Sequence, residues 1–446
     1  MRVIIVGAGE VGYQIAKFLC AEGIDVVVVD KDKGKLNRIA EELDVATIEG
    51  EGGDPSALKE AEADRADILL AVTNSDETNM IACLLAKAMF NIPRKIARIR
   101  TPDYFYNKSL LSKENLDINP AISPELEVAK AIIRLLEIPF AADVEDFEDG
   151  TVKVIGFKVT GKAHLIGKSL KELGTTTHQK FLIGLIERED KTIIPSGSDV
   201  IMEGDIIYLP MKRAELMDEA AFLGVSTKPA KKIMILGGGR VGYYIASTLE
   251  GKADIKIIEK DAGRCEYLSK YLGKSLILRG DGVDQKLLLE ENIDDMDVFV
   301  AVSNNEELNI MASLLAKKLG AGKSITIVNK TDYIPLAYSL GLQAVLSPRL
   351  ITASSILRYV RRGDILSLTE IAEGKAEIIE ARVGKTSLLI GKALKDKRLP
   401  KNSLIGTIIR GEEIIIPSGR DIVLRGDKLI IFALREAIKE VEKILQ

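Results

Sequence analysis

The sequence predicts an α/β protein in which a doubly wound parallel sheet and a small α+β domain occur together twice, as a tandem duplication. From Arg2 to Asp30, an apolar run, a glycine-rich turn, a helical pattern and a second apolar run follow in order. The same arrangement returns from Lys232 to Glu259, at an offset of 230 residues for the glycines and 229 for the acid. This order is typical of a dinucleotide-binding βαβ unit, the start of a Rossmann domain.

The glycines of the first turn, GAGEVG, have separate predicted roles. Gly7 permits a tight turn, Gly9 lets a pyrophosphate approach the backbone, and Gly12 lets the helix lie close to the strand. The helix N-terminus then offers unpaired N–H groups and a positive dipole to phosphates. The second turn, GGGRVG, begins at Gly237 with the same spacing.

Each repeat ends its second strand with an acid, Asp30 in the first and Glu259 in the second. A carboxylate at this position hydrogen-bonds a ribose 2′-OH and repels a 2′-phosphate, which favours NAD over NADP. ADP and ATP carry the same ribose, so the pattern leaves them open as ligands.

Composition and charge exclude several classes of protein. The 446 residues suffice for about three domains at roughly 150 residues each, and 46% are hydrophobic and 29% charged, as in globular proteins. The net charge of −4 argues against general nucleic-acid binding and gives no support to a polybasic membrane anchor. No apolar run approaches the ~18 residues of a membrane span, and the chain begins with a strand rather than a signal peptide.

The three cysteines, Cys20, Cys83 and Cys265, fall within predicted helices. Their small, odd number indicates reduced core residues in a cytosolic protein rather than a disulfide framework. A reactive thiol is the alternative.

The chain divides into four predicted domains. The first Rossmann domain ends with a helix that follows Ser123-Pro124 and stops at Pro139. An acidic stretch at 141–150 is expected to be a solvated linker or turn, and a period of two from Thr151 predicts the strands of a small domain. The predicted boundaries are 1–140 and 231–363 for the Rossmann domains and 141–226 and 364–446 for the small α+β domains.

The small domains and the strand ends also repeat. Ile194-Pro195-Ser196-Gly197 returns as Ile416-Pro417-Ser418-Gly419, and Ala71-Val72-Thr73-Asn74 returns as Ala301-Val302-Ser303-Asn304. Two such domain pairs can pack with pseudo-two-fold symmetry, as a homodimer does.

At this point the whole chain resembles the TrkA family, the cytosolic nucleotide-binding subunits of Trk-type potassium uptake systems. The resemblance rests on the two glycine turns with Asp30 and Glu259, on Gly280-Asp281-Gly282-Val283-Asp284, and on the segments 74–79 and 304–309. It implies a Rossmann regulator domain of the RCK type, a small C-terminal domain, and then both again.

The resemblance implies that each Rossmann half binds NAD, NADH, ATP or ADP. Asp30 and Glu259 would hold riboses, and Thr73, Asn74, Ser303 and Asn304 would line the nucleoside side of the crevice at the strand ends. The residues that would hold phosphates are Gly7, Ala8, Gly9, Glu10, Val11, Gly237, Gly238, Gly239, Arg240 and Val241.

Two differences between the halves predict unequal sites. The second half has Asp281 where the first has the longer acid Glu51, which can alter contacts to the adenine end. Arg98 can reach phosphates from the fifth strand, whereas the corresponding stretch 326–329 has no arginine and Lys330 is the nearest cation. The first site should therefore prefer ligands with more phosphate charge, unless Arg98 pairs with a surface acid instead.

A regulator is favoured over an enzyme, with an NAD-dependent oxidoreductase as the alternative. Hydride transfer requires an acid–base group near the nicotinamide, and the two histidines, His164 and His178, have no counterparts in the second small domain. By resemblance, nucleotide binding would change the angle between the Rossmann halves and gate a membrane-embedded potassium transporter subunit of Trk type. The chain would be cytoplasmic, peripheral at the inner face of the membrane, and a homodimer with a ring of four Rossmann halves.

The repeated acids Asp76-Glu77 and Glu306-Glu307 follow strand ends and precede helices. Their simplest role is to compensate the positive N-terminus of the helix. A contact to a divalent ion or a partner is the alternative.

Overall fold

Four sheets form the framework of the protein. The computed structural model describes residues 1–138, 140–161, 165–176, 182–189, 191–216, 218, 220, 229–360, 365–371 and 375–445. Within these residues lie two six-stranded parallel sheets and two five-stranded antiparallel sheets. The fold is therefore the predicted tandem of doubly wound and α+β domains.

The first parallel sheet has the strand order β3-β2-β1-β4-β5-β6, which is that of a Rossmann fold. Its strands are β1 Arg2–Val6, β2 Asp25–Asp30, β3 Ala46–Glu49, β4 Ile68–Ala71, β5 Arg94–Arg98 and β6 Ala121–Ile122. Its helices are α1 Glu10–Ala21, α2 Lys33–Glu42, α3 Pro55–Glu60, α4 Asp76–Ala88, α5 Pro102–Phe105 and α6 Lys108–Leu111. Strands β1, β2 and β4 are almost wholly buried, as expected of a parallel sheet covered on both faces.

The second parallel sheet repeats this order as β14-β13-β12-β15-β16-β17. Its strands are β12 Lys232–Leu236, β13 Asp254–Glu259, β14 Leu276–Arg279, β15 Val298–Ala301, β16 Lys323–Ile327 and β17 Ala344–Leu346. Its helices are α9 Arg240–Leu249, α10 Ala262–Tyr271, α11 Gln285–Glu290, α12 Glu306–Lys318 and α13 Tyr333–Ser339.

The two antiparallel sheets have equivalent strand orders, β10-β9-β11-β8-β7 and β21-β20-β22-β19-β18. The first contains β7 Ala141–Phe147, β8 Val152–Lys158, β9 Leu185–Arg188, β10 Lys191–Ile193 and β11 Ile206–Lys212, with helix α8 Leu170–Thr176. The second contains β18 Ile365–Ile371, β19 Ala376–Arg382, β20 Ser403–Arg410, β21 Glu413–Ile415 and β22 Lys428–Leu434, with helix α15 Ile438–Leu445. In each small domain, one arginine donates two hydrogen bonds of 2.8–3.0 Å to one buried aspartate. The pairs are Arg188 with Asp205 and Arg410 with Asp427.

Two linker helices, α7 Pro124–Glu137 and α14 Pro348–Val360, cross between the halves. Helix α7 packs against α9 of the second Rossmann domain, and α14 packs against α1 of the first. Each linker helix also packs against its own small domain. For α14, Ile15 of α1, Ile356 of α14 and Ile379 of the second small domain belong to one apolar core. The reciprocal exchange gives the pseudo-two-fold packing that the duplication predicts.

The two small sheets also meet each other. Phe432, fully buried, fills a space between them, and a Cβ on Gly184 or Gly406 would lie 2.3 or 2.5 Å from its ring. Across the same contact, Lys428 Nζ lies 2.5 Å from Glu148 Oε2. The two small domains therefore join the halves at a second place.

The acidic stretch at 141–150 is not a solvated linker, contrary to the sequence prediction. Residues Ala141–Phe147 form β7, an edge strand paired with β8, and Ala141, Val144 and Phe147 are buried. Apolar residues at every third position do not alternate as in a regular strand, and the register shifts between Ala141 and Asp143. The irregular edge strand hides its period of two from sequence analysis.

Candidate functional site

The first glycine turn has the geometry that its predicted roles require. Gly7 has a φ of +117°, and a Cβ there would lie 3.0 Å from the backbone nitrogen of Thr73. A Cβ on Gly12 would lie 1.9 Å from the carbonyl oxygen of Gly7, so only glycine lets α1 sit against β1. A Cβ on Gly9 would meet nothing within 4 Å, which leaves open space at the start of the helix.

The second turn repeats this geometry with one change. Gly237 has a φ of +107°, a Cβ on Gly242 would lie 2.1 Å from the Gly237 oxygen, and the space beside Gly239 is open. Gly238 stands where the first half has Ala8, because a Cβ there would lie 2.4 Å from Leu268 Cδ1. Leu268 of α10 therefore leaves no room for a side chain at this position of the second turn.

The two predicted ribose acids hold their own glycine turns. Asp30 Oδ2 accepts from the backbone N–H of Ala8 at 2.6 Å, and its Oδ1 accepts from Asp32 at 2.9 Å. Glu259 Oε2 accepts from Gly238 at 2.8 Å. Each carboxylate therefore fixes the turn beside which a ribose hydroxyl would bind.

The strand-end residues belong to a network that sequence reasoning missed. Asn79 Oδ1 accepts from the backbone N–H and the hydroxyl of Thr73, and Asn79 Nδ2 donates to the Arg98 carbonyl at 2.8 Å. Asn309 makes the same contacts to Ser303 and Ile327. The signal was the shared asparagine in segments 74–79 and 304–309, whose side chain ties one strand end to the next.

A cavity of about 840 Å³ lies between the two Rossmann halves. It brings together all ten predicted first-half site residues with a smaller set from the second half. From the first half these are Gly7, Ala8, Gly9, Glu10, Val11, Asp30, Glu51, Thr73, Asn74 and Arg98, and from the second half Val241, Ser303 and Asn304. The lining also includes Arg38, Arg100, Glu125, Asn329 and Arg349, which sequence reasoning did not select.

The remaining predicted site residues do not line this cavity. Asp281 is 3.6 Å from Lys260 in an exposed pair, and Arg240 lies 3.8 Å from Glu125. Arg264 donates to the carbonyl of Gly238 at 2.5 Å, so a side chain of α10 covers the second turn. The other residues outside the lining are Gly237, Gly238, Gly239 and Glu259.

Charge around the cavity suits an anionic ligand. Among the described residues, six cationic side chains line it against four acidic ones. The cations are Lys31, Lys35, Arg38, Arg98, Arg100 and Arg349, and the acids are Glu10, Asp30, Glu51 and Glu125. The N-terminus of α1 adds its dipole at the same place.

Arg98 lines this cavity, and the described residues give it no ion pair with an acid. Its Nη1 donates to Asn74 Oδ1 at 3.0 Å, while its buried Nε has no hydrogen-bond partner. Burial lowers the pKa of Arg98. The alternative, pairing with a surface acid, is not what the described residues show. On the second half, Lys330 is instead 3.4 Å from Glu306.

A second unsatisfied group lies nearby. Arg100 Nη2 is 2.6 Å from Glu125 Oε1, and Glu125 Oε2 is buried with no hydrogen-bond partner. Buried polar groups are normally paired, and the Nε of Arg98 and the Oε2 of Glu125 are two exceptions in residues that line this cavity.

The first acid of each repeated pair accepts hydrogen bonds from the backbone of a loop beside the site. Asp76 is buried and accepts from the backbone N–H groups of Arg100 and Thr101 at 2.8–3.1 Å. Glu306 accepts from Asn329 and Lys330 at 2.8 Å. Besides facing a helix N-terminus, each acid thus fixes the loop after the neighbouring strand. Among the described residues no group of three or more potential metal ligands clusters.

Other predictions have plain outcomes. His164 and His178 lie outside the described residues. The cysteines lie in α1, α4 and α10 and are not in disulfides, and burial raises the pKa of the Cys83 thiol to about 12. No described helix combines the length and apolar character needed to cross a membrane.

The fold and cavity define a class: tandem Rossmann proteins in which a cavity between the two halves is lined by the first glycine turn and by strand ends of the second half. The TrkA-N domain model matches residues 3–124 and 233–348, and the TrkA-C domain model matches 154–223 and 378–446. The chain belongs to the TrkA family.

Similar proteins span the whole chain. The Trk system potassium uptake protein TrkA of Azorhizobium caulinodans is 36% identical and covers 100% of this chain and 99% of its own length. The TrkA homolog 1 of Methanosarcina mazei is 38% identical, with 99% of each chain covered. Among solved structures, the GsuK RCK domain is 18% identical with a TM-score of 0.62, and covers 100% of this chain and 94% of its own. The GsuK channel bound to NAD has a TM-score of 0.63 at 18% identity, with 100% and 78% covered. These structures share the fold.

Proposed function

We propose that the chain is the cytosolic nucleotide-binding regulatory subunit of a Trk-type potassium uptake system and gates its membrane-embedded transporter. Relatives that match the full chain at 36–38% identity carry the name of the Trk potassium uptake system. The observation that carries the mechanism is the cavity between the halves, because a ligand in it contacts both.

The ligand is NAD or NADH, with ATP and ADP as alternatives. The glycine turn, Asp30 and the positive lining suit a ribose joined to phosphates. A solved channel of the same fold is described as bound to NAD. Arg98 and Arg100 give the first-half site the higher affinity for ligands with more phosphate charge. The second glycine turn is covered by side chains of α10, so the second-half site differs from the first.

Gating follows from a difference in affinity between two arrangements of the halves. A ligand shifts an equilibrium only as far as it binds one state better than the other. Because α7 and α14 cross between the halves, a change in cavity width moves both linker helices and both small domains. That movement would act on the cytosolic face of the transporter, where a homodimer presents a ring of four Rossmann halves.

The alternative, an NAD-dependent oxidoreductase, is disfavoured by the lining of the cavity. No described residue of either small domain contributes to it. A dehydrogenase needs a second domain to present substrate and an acid–base group to the nicotinamide. We therefore propose a binding protein rather than an enzyme.

Reconstitution tests this proposal. The purified chain is added to vesicles that contain a Trk-type transporter, and potassium uptake is measured with NAD, NADH, ATP or ADP. A nucleotide-dependent change in uptake that requires the chain is expected. Uptake that is the same with and without every nucleotide would contradict gating, and oxidation of NADH with a small carbonyl compound would favour the oxidoreductase.

A further inference from the structure

Two ion pairs cross between the Rossmann halves with their charges exchanged. Glu10, the first residue of α1, has its Oε2 3.2 Å from Nη1 of Arg349 on the linker helix α14. At the related positions, Arg240 of α9 has its Nη1 3.8 Å from Oε1 of Glu125 on α7. The duplicated helix therefore presents an acid in the first half and a base in the second.

Glu10 stands where a ligand phosphate would approach. It follows the N-cap Gly9 at the start of the 12-residue helix α1, which has no side-chain cap. Its other oxygen lies 3.1 Å from Arg38 Nη1. One carboxylate thus holds two arginines, one from each half, beside the cavity.

Arg349 is placed to exchange partners. It lines the cavity at the N-terminal end of α14, and its side chain is 31% exposed, so it is neither locked in a core nor directed away into solvent. A guanidinium binds phosphate through two parallel hydrogen bonds. A phosphate beyond those held by the glycine turn offers Arg349 a negative charge, as Glu10 does, with more acceptor oxygens.

We propose that Arg349 is a cross-half phosphate ligand of the first-half site and that Glu10 competes with the terminal phosphate for it. This inference rests on the proposed nucleotide site. A triphosphate takes Arg349 from Glu10, whereas a monophosphate, which ends at the glycine turn, leaves the pair intact. The contact between α14 and the first half then depends on the number of phosphates.

The second half lacks this device. The position on α7 that corresponds to Arg349 is Glu125, whose carboxylate repels phosphate and faces Arg100 and Arg240. The number of phosphates is therefore sensed on the first half alone.

Calorimetric titration with AMP, ADP and ATP tests the inference in the full chain carrying Gly239→Asp, which isolates the first-half site. Arg349→Met should weaken ATP binding about ten-fold, the value of one charge-assisted phosphate contact, and leave AMP within two-fold. Glu10→Gln should strengthen ATP binding, because it removes the competitor. Arg358→Met, on the same helix but outside this cavity, is the matched control and should bind as the parent does.

The two substitutions are expected to change the affinity for ATP in opposite directions. A general loss of folding would not produce this result. Equal weakening of AMP and ATP by Arg349→Met, no effect on either, or weaker ATP binding by Glu10→Gln would each overturn the inference and leave the proposed function standing. If the wild-type chain and the Gly239→Asp chain bind no nucleotide at all, the proposed site itself fails and the inference fails with it.

Discussion

At the scale of single residues, Arg98 is the side chain that most distinguishes the first half from the second. Its orphaned Nε and its lowered pKa both come from burial beside the cavity. Arg98→Ala should weaken ATP binding by about ten-fold and NADH binding by less, because a triphosphate carries more charge. Titration of both ligands measures this, with the exposed Arg65→Ala as the control. Unchanged affinity for both ligands would contradict the proposal that Arg98 binds phosphate.

Asp143, on the irregular edge strand β7, gives the protein a pH-dependent stability. Burial first, and then the neighbouring carboxylate of Glu145, raises the pKa of Asp143 to about 7, against the partial compensation of Arg134. Its native pKa lies above the unfolded value of about 3.9. The native state therefore holds this proton more tightly, and stability is lost as pH rises from about 4 through 7.

Asp143→Asn should remove this loss. The variant should gain stability over the wild type as pH rises from about 4 through 7, and should differ little on this ground near pH 4. Thermal unfolding at pH 5 and pH 8 measures the difference, with the exposed Asp149→Asn as control. A variant whose advantage is the same at both pH values would show that Asp143 ionises normally.

Residue roles that depend on local backbone geometry could be predicted from the sequence. The tight turn at Gly7 and the close helix at Gly12 are present, since spacing fixes them. The hydrogen bond from the Ala8 N–H to the Asp30 carboxylate was not predicted from the sequence, because Asp30 was interpreted as a ligand of the ribose. Asn79 was missed because its partners, Thr73 and the Arg98 carbonyl, lie at the ends of two different strands.

At the scale of elements, the glycine turn separates a structural glycine from a binding glycine. Gly12→Ala places a Cβ 1.9 Å from the Gly7 carbonyl and should destabilise the first half by at least about 1–3 kcal/mol. Gly9→Ala meets nothing within 4 Å and should unfold like the wild type. Thermal or denaturant unfolding compares the two. Equal stability of both variants would mean that α1 can move away from β1 at little cost.

The spacing of apolar residues predicted strands and helices correctly where these elements are buried and regular. The repeated parallel strands were predicted from continuous apolar runs. Strand β7 was misread because an edge strand with a register shift carries charged residues on its open side. One of its charges also pairs with the linker helix α7, since Arg134 Nη2 lies 3.2 Å from Glu145 Oε1.

At the scale of the whole molecule, the tandem repeat predicted the pseudo-two-fold packing but not the cavity. Its lining combines residues more than 200 positions apart, such as Glu10 and Arg349. Their pairing depends on the crossing of α14 to the opposite half, which leaves no local sequence pattern. Because of the same crossing, a ligand bound at the first-half site would also contact the second half.

The most direct test is to count nucleotide sites per chain by calorimetric titration of the wild type, Gly9→Asp and Gly239→Asp with ATP, ADP, NAD and NADH. A Cβ at either glycine meets nothing within 4 Å, so the new carboxylate should repel the ligand phosphate without disturbing the fold. Two unequal sites in the wild type are expected, with each substitution removing one of them. If neither substitution changes the affinity for any nucleotide, the glycine turns are not the binding sites and the tandem-sensor function is wrong.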